Sequence, residues 1–215
     1  MTFRLPQIDH RHKVCVICEG DEDFAYFKRL KEFAIWNEVY DFVPQNAHGE
    51  SNIASLYTSI YQNDSYEVVL IFCDTDKAPQ TQYQLLKKKL VEFHGGDRRL
   101  RTDRFVIFAN PCTMQIILSH FGDVSLRNQG KKTNAEIIEK YTGIVGYDAH
   151  QDQIRDLCGK IYRRTYTDMK RRVSQINNPD TEPASTNFIV FLDCFESDDV
   201  KWISDLRTYL DKKKS

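Results

Sequence analysis

The residues Val68–Asp76, with the sequence VVLIFCDTD, constrain the fold of this chain more than any other stretch. They begin with an uninterrupted run of five apolar residues and a cysteine, which is rich in β-branched side chains. Such a run is typical of a strand that is buried on both faces, as in a parallel sheet. Two aspartates, Asp74 and Asp76, follow the run directly. The stretch therefore predicts a central parallel strand with two carboxylates at its C-terminal end.

The C-terminal ends of parallel strands are the places where ligands bind in open α/β sheets. Residues two apart in an extended segment point to the same side, so Asp74 and Asp76 are expected to face one point. A cation at that point would offset the repulsion between the two carboxylates. A simpler interpretation is that both residues form a turn and cap a helix, which Asp does well. The pattern by itself leaves both interpretations open.

A second apolar run, KVCVICEG at Lys13–Gly20, also ends in an acidic residue. Gly20 allows a tight turn after this strand, and a segment with apolar residues at helical spacing follows. The three acidic residues at 21–23 suit the first turn of that helix, where the helix dipole favours negative charge. Glu19 lies before the glycine, at the strand end, and the helix dipole does not explain it. Glu19 is therefore a candidate functional residue.

The two strand ends together resemble the TOPRIM domain of topoisomerases, primases, OLD-family nucleases and recombination-repair proteins. That domain has a glutamate after its first strand and an Asp-x-Asp motif after a later strand. Glu19-Gly20-x-x-Asp23 and Asp74-Thr75-Asp76 match these motifs. The resemblance implies that Glu19, Asp74 and Asp76 are catalytic and bind Mg²⁺ or Mn²⁺.

A third stretch, which begins at Asn110-Pro111-Cys112 and ends in His-Phe at 120–121, resembles a segment of the RloB-like proteins. These are small TOPRIM proteins that include the second component of the AbiL abortive-infection system. The resemblance implies an antiphage role beside an ATPase partner. The chain departs from the family at two positions, because Thr113 replaces a phenylalanine and Met114 replaces a glutamate. If that glutamate contributes to the metal site, this chain lacks it.

The composition is that of an ordinary globular protein, with 41% hydrophobic and 28% charged residues and a net charge of −1. No stretch resembles a signal peptide or a membrane span, so we expect a cytoplasmic protein without a membrane partner. Cys15-x-x-Cys18 lies on a predicted strand, where positions three apart face opposite sides, so the pair is not expected to chelate zinc. We expect the strand cysteines to be buried and reduced.

The alternation of strands and helices predicts a parallel α/β sheet in residues 1–126, followed by a helical C-terminal extension, 127–215, packed on this core. The second strand is expected to stop before Pro44. Strands are predicted at 13–18, 38–43, 68–76 and 104–109, and helices at 22–35, 51–61, 81–93, 112–121, 134–141, 149–176 and 198–212. The segment 187–195 fits both states, and its apolar spacing favours a helix.

Basic residues outnumber acidic ones in the predicted helix 149–176, where Tyr162 and Tyr166 alternate with arginines. Arginine and tyrosine on one surface suit contacts with a phosphate backbone and with bases. The candidate nucleic-acid-binding residues are Arg163, Arg164, Lys170 and Arg171. A solvated amphipathic helix, in which the basic stems cover apolar surface, would have the same pattern.

Three functional hypotheses follow. The first is a Mg²⁺-dependent phosphodiesterase that hydrolyses DNA or RNA with water, because no serine, tyrosine or histidine is clearly placed as a nucleophile. The second is a catalytically degenerate TOPRIM protein that binds nucleic acid or a partner protein, as the methionine at position 114 suggests. The third is a nucleotide- or protein-binding α/β domain whose acidic residues only cap helices.

Overall fold

A single parallel sheet lies at the centre of the structure, a computed structural model that describes residues 11–76, 79–127 and 131–214. Its strands are β1 (His12–Cys18), β2 (Tyr40–Asn46), β3 (Val68–Asp74) and β4 (Val106–Ala109). They are adjacent in the order β2-β1-β3-β4, and each neighbouring pair is parallel. The predicted Rossmann-like α/β class is therefore confirmed.

The helices flank the sheet and form most of the C-terminal half. They are α1 (Asp21–Lys31), α2 (Glu50–Gln62), α3 (Thr81–Phe93), α4 (Met114–Leu118), α5 (Lys131–Thr142), α6 (Gln151–Gly159), α7 (Arg163–Gln175), α8 (Phe188–Glu196) and α9 (Lys201–Lys214), with a short 3₁₀ helix at Thr102–Arg104. None of the helices within the described ranges combines the length and the apolar character that crossing a bilayer requires.

The strand order determines which helices cover which face. β2 and β3 lie on opposite sides of β1, so right-handed crossovers place α1 on one face of the sheet and α2 on the other. The next crossover continues in the same direction, which puts α3 beside α2. The sheet is thus covered on both faces, and the last five residues of β1 and the first six of β3 are buried apolar residues.

The C-terminal half supplies part of the same hydrophobic core. Phe188 of α8 stacks on Phe72 of β3 with ring centroids 5.6 Å apart, and Phe195 lies 4.5 Å from Phe42 and 5.2 Å from Trp36. α8 therefore covers the same face as α1, and it confirms the helix predicted at 187–195. The division of the chain at residue 126 stays a prediction.

Several predicted boundaries were wrong, and two of these differences have a clear physical reason in the structure. β2 continues through Pro44 to Asn46, because β2 is an edge strand and proline is tolerated where one side of a strand has no partner. The helix predicted at 149–176 is two helices, α6 and α7, with a break between them. At this break the carbonyl of Ile161 accepts hydrogen bonds from Nε and Nη2 of Arg29 at 3.1 and 2.9 Å.

Candidate active site

The candidate site lies where the chain leaves β1 and β3 at the C-terminal edge of the sheet. These strands are neighbours, but the chain continues from β1 into α1 on one face and from β3 into α3 on the other. Such a switch in direction opens a crevice between the two strand ends, which is the usual ligand-binding position in this fold class.

Glu19 and Asp74 meet in this crevice. The amide of Glu19 extends the β1–β3 ladder by donating to the carbonyl of Phe72 at 3.1 Å. The Glu19 carboxylate then accepts a hydrogen bond from the backbone N–H of Asp74 at 3.0 Å. The two acidic residues, which are 55 positions apart in the sequence, are therefore in direct contact.

Thr113, at the start of α4, holds the Asp74 side chain in place. Its backbone N–H and its hydroxyl both donate to Oδ1 of Asp74, at 2.7 and 2.9 Å. Thr113 is fully buried, so water does not compete for these bonds. The Asp74 carboxylate therefore has a fixed orientation before any ligand binds.

Asp76 reaches the same site by a different route from the one expected. Its φ is +59°, so the chain turns into the left-handed region there and the predicted strand to residue 76 ends at Asp74. The alternation expected of an extended segment was therefore the wrong reason to pair the two aspartates. The amide of Asp76 donates to the carbonyl of Pro111 at 3.0 Å, and this turn leaves Asp76 and Asp74 lining one small cavity.

Further carboxylates lie beside these residues, and the charges of two of them, Asp23 and Glu50, act on Glu19. Asp23 accepts a hydrogen bond from the Gly20 amide at 3.0 Å, so it caps α1 as the helix pattern indicated, but its charge also acts on Glu19. Glu50 was missed by the sequence analysis. It begins α2 after Gly49, whose amide donates to the carbonyl of Glu19 at 2.8 Å. The available signal was its position in the short connection after β2, whose C-terminal end lies at the same edge of the sheet.

Burial and mutual repulsion raise the pKa values of these acids. Burial, and then the charge of Asp23, raise the pKa of Glu19 to about 8, although the hydrogen bond from the Asp74 amide opposes this shift. Burial raises the pKa of Asp23 to about 6, and burial with the charge of Asp76 raises that of Glu50 to about 7. Burial followed by the charges of Asp23 and Glu19 raises the pKa of Asp74 well above its usual range. The cluster therefore holds protons at neutral pH.

The donor atoms of this cluster fit a hard divalent cation, because Mg²⁺ and Mn²⁺ prefer carboxylate oxygens. Oε1 of Glu50 is buried, and the described residues give it no hydrogen-bond partner. The side chains do not, however, stand as a ready ligand set. Within the described part of the chain, no three His, Cys, Asp or Glu residues are grouped so that they could hold a metal. The chemistry fits, and binding would require side-chain rotation.

Two other candidate site residues, Asn110 and Lys170, have partners within the protein. Asn110 is buried, and its side-chain amide donates to the carbonyls of Asp180 and Glu182 at 2.8 and 2.9 Å, which gives it a structural role. Lys170 forms ion pairs with Asp193 and Glu196 at 2.9 and 2.7 Å, so its charge is already balanced.

The basic helix α7 is only partly the surface that was expected. Arg163, Arg164 and Arg171 are exposed, as is Tyr162. Tyr166 is buried and accepts a hydrogen bond from Nε1 of the Trp36 indole at 3.3 Å, so its expected place among the arginines was wrong. The main contacts of α7 are with α4 and α8. None of the polar contacts described for these arginines joins them to the acidic cluster.

All six cysteines are free, and the three on the central strands, Cys15, Cys18 and Cys73, are fully buried, as predicted.

Comparison of this chain with protein-family models, with curated proteins and with solved structures finds no match.

Proposed function

We propose that this chain is a divalent-cation-dependent phosphodiesterase that acts on nucleic acid. The observation that carries the proposal is the convergence of Glu19, Asp74 and Asp76 at the switch point of a parallel sheet, with the raised pKa values that mark functional sites. Structural acidic residues are usually exposed or paired with cations, whereas these are partly buried beside one another.

Asp74 and Asp76 would hold Mg²⁺ or Mn²⁺, with Glu19 and Glu50 beside them. A cation bound there would stabilise the charge that develops on a phosphate and would activate a water molecule as nucleophile. Thr113 fixes Asp74 through two hydrogen bonds. In the cation-free site, burial and the charge of Asp23 raise the pKa of Glu19 to about 8, so binding of a cation would displace its proton.

The exposed arginines of α7 support nucleic acid as the substrate class. Arg163, Arg164 and Arg171 present positive charge to solvent on one helix, which suits contacts with phosphates. The resemblance to RloB-like TOPRIM proteins extends the proposal to antiphage defence beside an ATPase partner. Free buried cysteines suit a reducing compartment, so we place this activity in the cytoplasm.

A second candidate function is a TOPRIM-like protein that binds nucleic acid or a partner without cutting. Met114, at the position where the RloB-like proteins have a glutamate, is buried and lines the cavity beside Asp74 and Asp76. The acidic residues of the described chain also lack a preformed set of three ligands. Both observations favour a site that has lost its catalytic metal.

A comparison of three purified proteins separates these functions. They are the wild type, the double variant Asp74→Asn/Asp76→Asn, and the matched control Asp168→Asn, which changes an exposed aspartate on α7. Each is incubated with labelled DNA and RNA in Mg²⁺, Mn²⁺ or EDTA, and Mn²⁺ binding is measured by calorimetry.

We expect the wild type and Asp168→Asn to bind Mn²⁺ and to cut nucleic acid only in the presence of the cation. The double variant should lose both properties. Calorimetry does not depend on a partner protein, so it tests the metal site directly. Wild-type protein that binds nucleic acid but no Mn²⁺ would reject the enzyme and support the second candidate.

A further inference from the structure

A cavity of about 190 Å³ lies beside the carboxylates of Asp74 and Asp76. Cys112 and Met114 line it from the α/β core, while Tyr147 lines it from the loop after α5. The C-terminal half therefore completes a pocket whose other wall is the acidic site. Apolar and aromatic side chains line much of the cavity, although the carboxylates beside it are acidic.

The size of this cavity limits what it can hold. An apolar cavity of ~150 Å³ accepts a benzene molecule, whereas sites for drug-sized ligands measure ~300–1,000 Å³. The volume of about 190 Å³ thus matches one planar ring system. Base pairs within a duplex cannot enter such a pocket, because an enclosed site reaches a base only when the base leaves the stack.

Asn134 of α5 supplies a polar group inside this cavity. Its side chain is 6% exposed, and the only polar contact that the described residues give it is a weak one of 3.9 Å from Nδ2 to Sγ of Cys112. A side-chain amide offers one donor and one acceptor next to each other, which is the arrangement that reads the edge of a base. Tyr147, 6% exposed, adds an aromatic ring, and aromatic rings stack on bases.

We propose that this cavity receives one unstacked base of a single-stranded or locally unpaired nucleic acid, next to the phosphate that a cation held by the carboxylates would contact. The proposal rests on the proposed function for the role of the carboxylates and deepens it by naming the substrate class. Asn134 contacts the edge of the base, and Met114 takes part in the apolar wall of its pocket. The methionine that replaces the family's glutamate thereby has a role in binding.

The test measures binding in EDTA, so it requires neither cleavage nor a metal. Oligonucleotides that carry the fluorescent base 2-aminopurine are offered to the wild type in three forms: single-stranded, fully paired, and paired except for a one-base bulge at the probe. Adenosine monophosphate is a fourth ligand. The variants are Asn134→Leu and the matched control Glu136→Gln, which changes an exposed residue on the same helix.

We expect the wild type to bind the single-stranded and bulged forms roughly tenfold more tightly than the fully paired form, with a change in probe emission. Asn134→Leu should lose this preference, and Glu136→Gln should keep it. Equal binding of all three forms by the wild type would overturn the proposal, and this result needs no variant to fold. Binding of adenosine monophosphate as tight as that of the oligonucleotides would also overturn it.

The two proposals fail in different ways. If only the phosphodiesterase proposal is wrong, the wild type should prefer unpaired bases but should neither bind Mn²⁺ nor cleave nucleic acid. If only the base-pocket proposal is wrong, the wild type should cleave paired and unpaired substrates at equal rates when the cation is present. Asn134→Leu should then cleave at the same rates as the wild type.

Discussion

Thr113 shows how a single residue prepares the acidic site. It gives Oδ1 of Asp74 two donors from a fully buried position, so this oxygen is held in place. Residues that orient a metal ligand in this way typically change metal affinity by ~10–100-fold when they are replaced.

We therefore expect Thr113→Val, which keeps the backbone donor and the shape but removes the hydroxyl, to weaken Mn²⁺ binding about tenfold. Thr113→Ser retains the hydroxyl and should stay close to the wild type. Calorimetric titration of the three proteins measures the difference. Equal affinities for Thr113→Val and the wild type would show that the hydroxyl does not position Asp74 for the metal.

Glu50 gives the metal-free protein a stability that depends on pH. Its pKa is raised to about 7, so between pH ~4.3, the ordinary value for glutamate, and pH 7 the folded state binds a proton that the unfolded state does not. The free energy of unfolding therefore falls as the pH rises through this window. Glu19, whose pKa is raised to about 8, acts in the same direction.

We expect the melting temperature of Glu50→Gln in EDTA to exceed that of the wild type by roughly 2–4 °C at pH 8, because the amide has no charge to bury and none to repel Asp76. At pH 4, where Glu50 is protonated in both states, the two melting temperatures should differ much less. Thermal melts across this range measure the effect. A larger gain at pH 4 than at pH 8 would contradict the electrostatic cause.

The contact of Glu19 with Asp74 could be predicted from the sequence, because two buried runs that end in acids must end at the same edge of a parallel sheet. Thr113 and Glu50 could not be predicted in the same way. Thr113 joins the cluster through the path of a loop, and a loop path depends on tertiary contacts that no local pattern records. For Glu50 the position after β2 was a signal of the correct sheet edge, but its contact with the cluster depends on the loop as well.

At the level of elements, the segment that leads into α8 protects the edge strand β4. The side-chain oxygen of Asn187 accepts the Phe108 N–H at 2.9 Å, and its amide nitrogen donates to the Val106 carbonyl at 2.8 Å. Thr186 adds a backbone bridge to Ala109. Asn187 thus takes the place of a neighbouring strand with its side chain.

We expect Asn187→Leu to lower the free energy of unfolding by about 2–4 kcal/mol, because two buried backbone groups lose their partners at ~1–3 kcal/mol each. Asn178→Leu, in the exposed loop nearby, is the matched control and should change little. Urea unfolding measures both. A decrease in the free energy of unfolding below ~1 kcal/mol for Asn187→Leu would mean that water or a rearranged loop forms hydrogen bonds with the backbone groups of β4.

The spacing of apolar residues in the sequence predicted most of the helices and strands, but it did not predict two details. Nothing in the local sequence says that β2 is an edge strand, so Pro44 was taken as its end. At the break between α6 and α7 the Ile161 carbonyl accepts hydrogen bonds from Arg29, which is 132 residues away, and no local pattern records this contact. The burial of Tyr166 also involves residues far away in the sequence, since its hydroxyl contacts Trp36 and Glu196.

At the level of the whole molecule, one aromatic core joins the two halves of the chain. Phe188 and Phe195 of α8 pack on rings of the α/β half at centroid distances of 4.5–5.6 Å. His120, whose pKa burial lowers to about 3, links Tyr26 to Thr165 of α7 at 2.9 and 3.0 Å. The helical extension is therefore part of the folded core.

We expect a chain that ends at residue 126 to lose cooperative unfolding, because removal of α8 exposes the rings of Trp36, Phe42 and Phe72. The expected state binds a hydrophobic dye and lacks near-ultraviolet circular dichroism, while it keeps helical far-ultraviolet signal. A cooperative thermal transition of the 1–126 fragment would show instead that the α/β half folds independently.

The proline within β2 has a consequence for how copies of this protein meet. Sheets with open borders can recruit a strand from another molecule, and proline on an outer strand discourages this recruitment. Pro44 stands on one border of the sheet, and the 186–187 segment occupies the other. Self-assembly of this protein, if it occurs, is therefore expected to join helical surfaces and not to extend the sheet from one copy to the next.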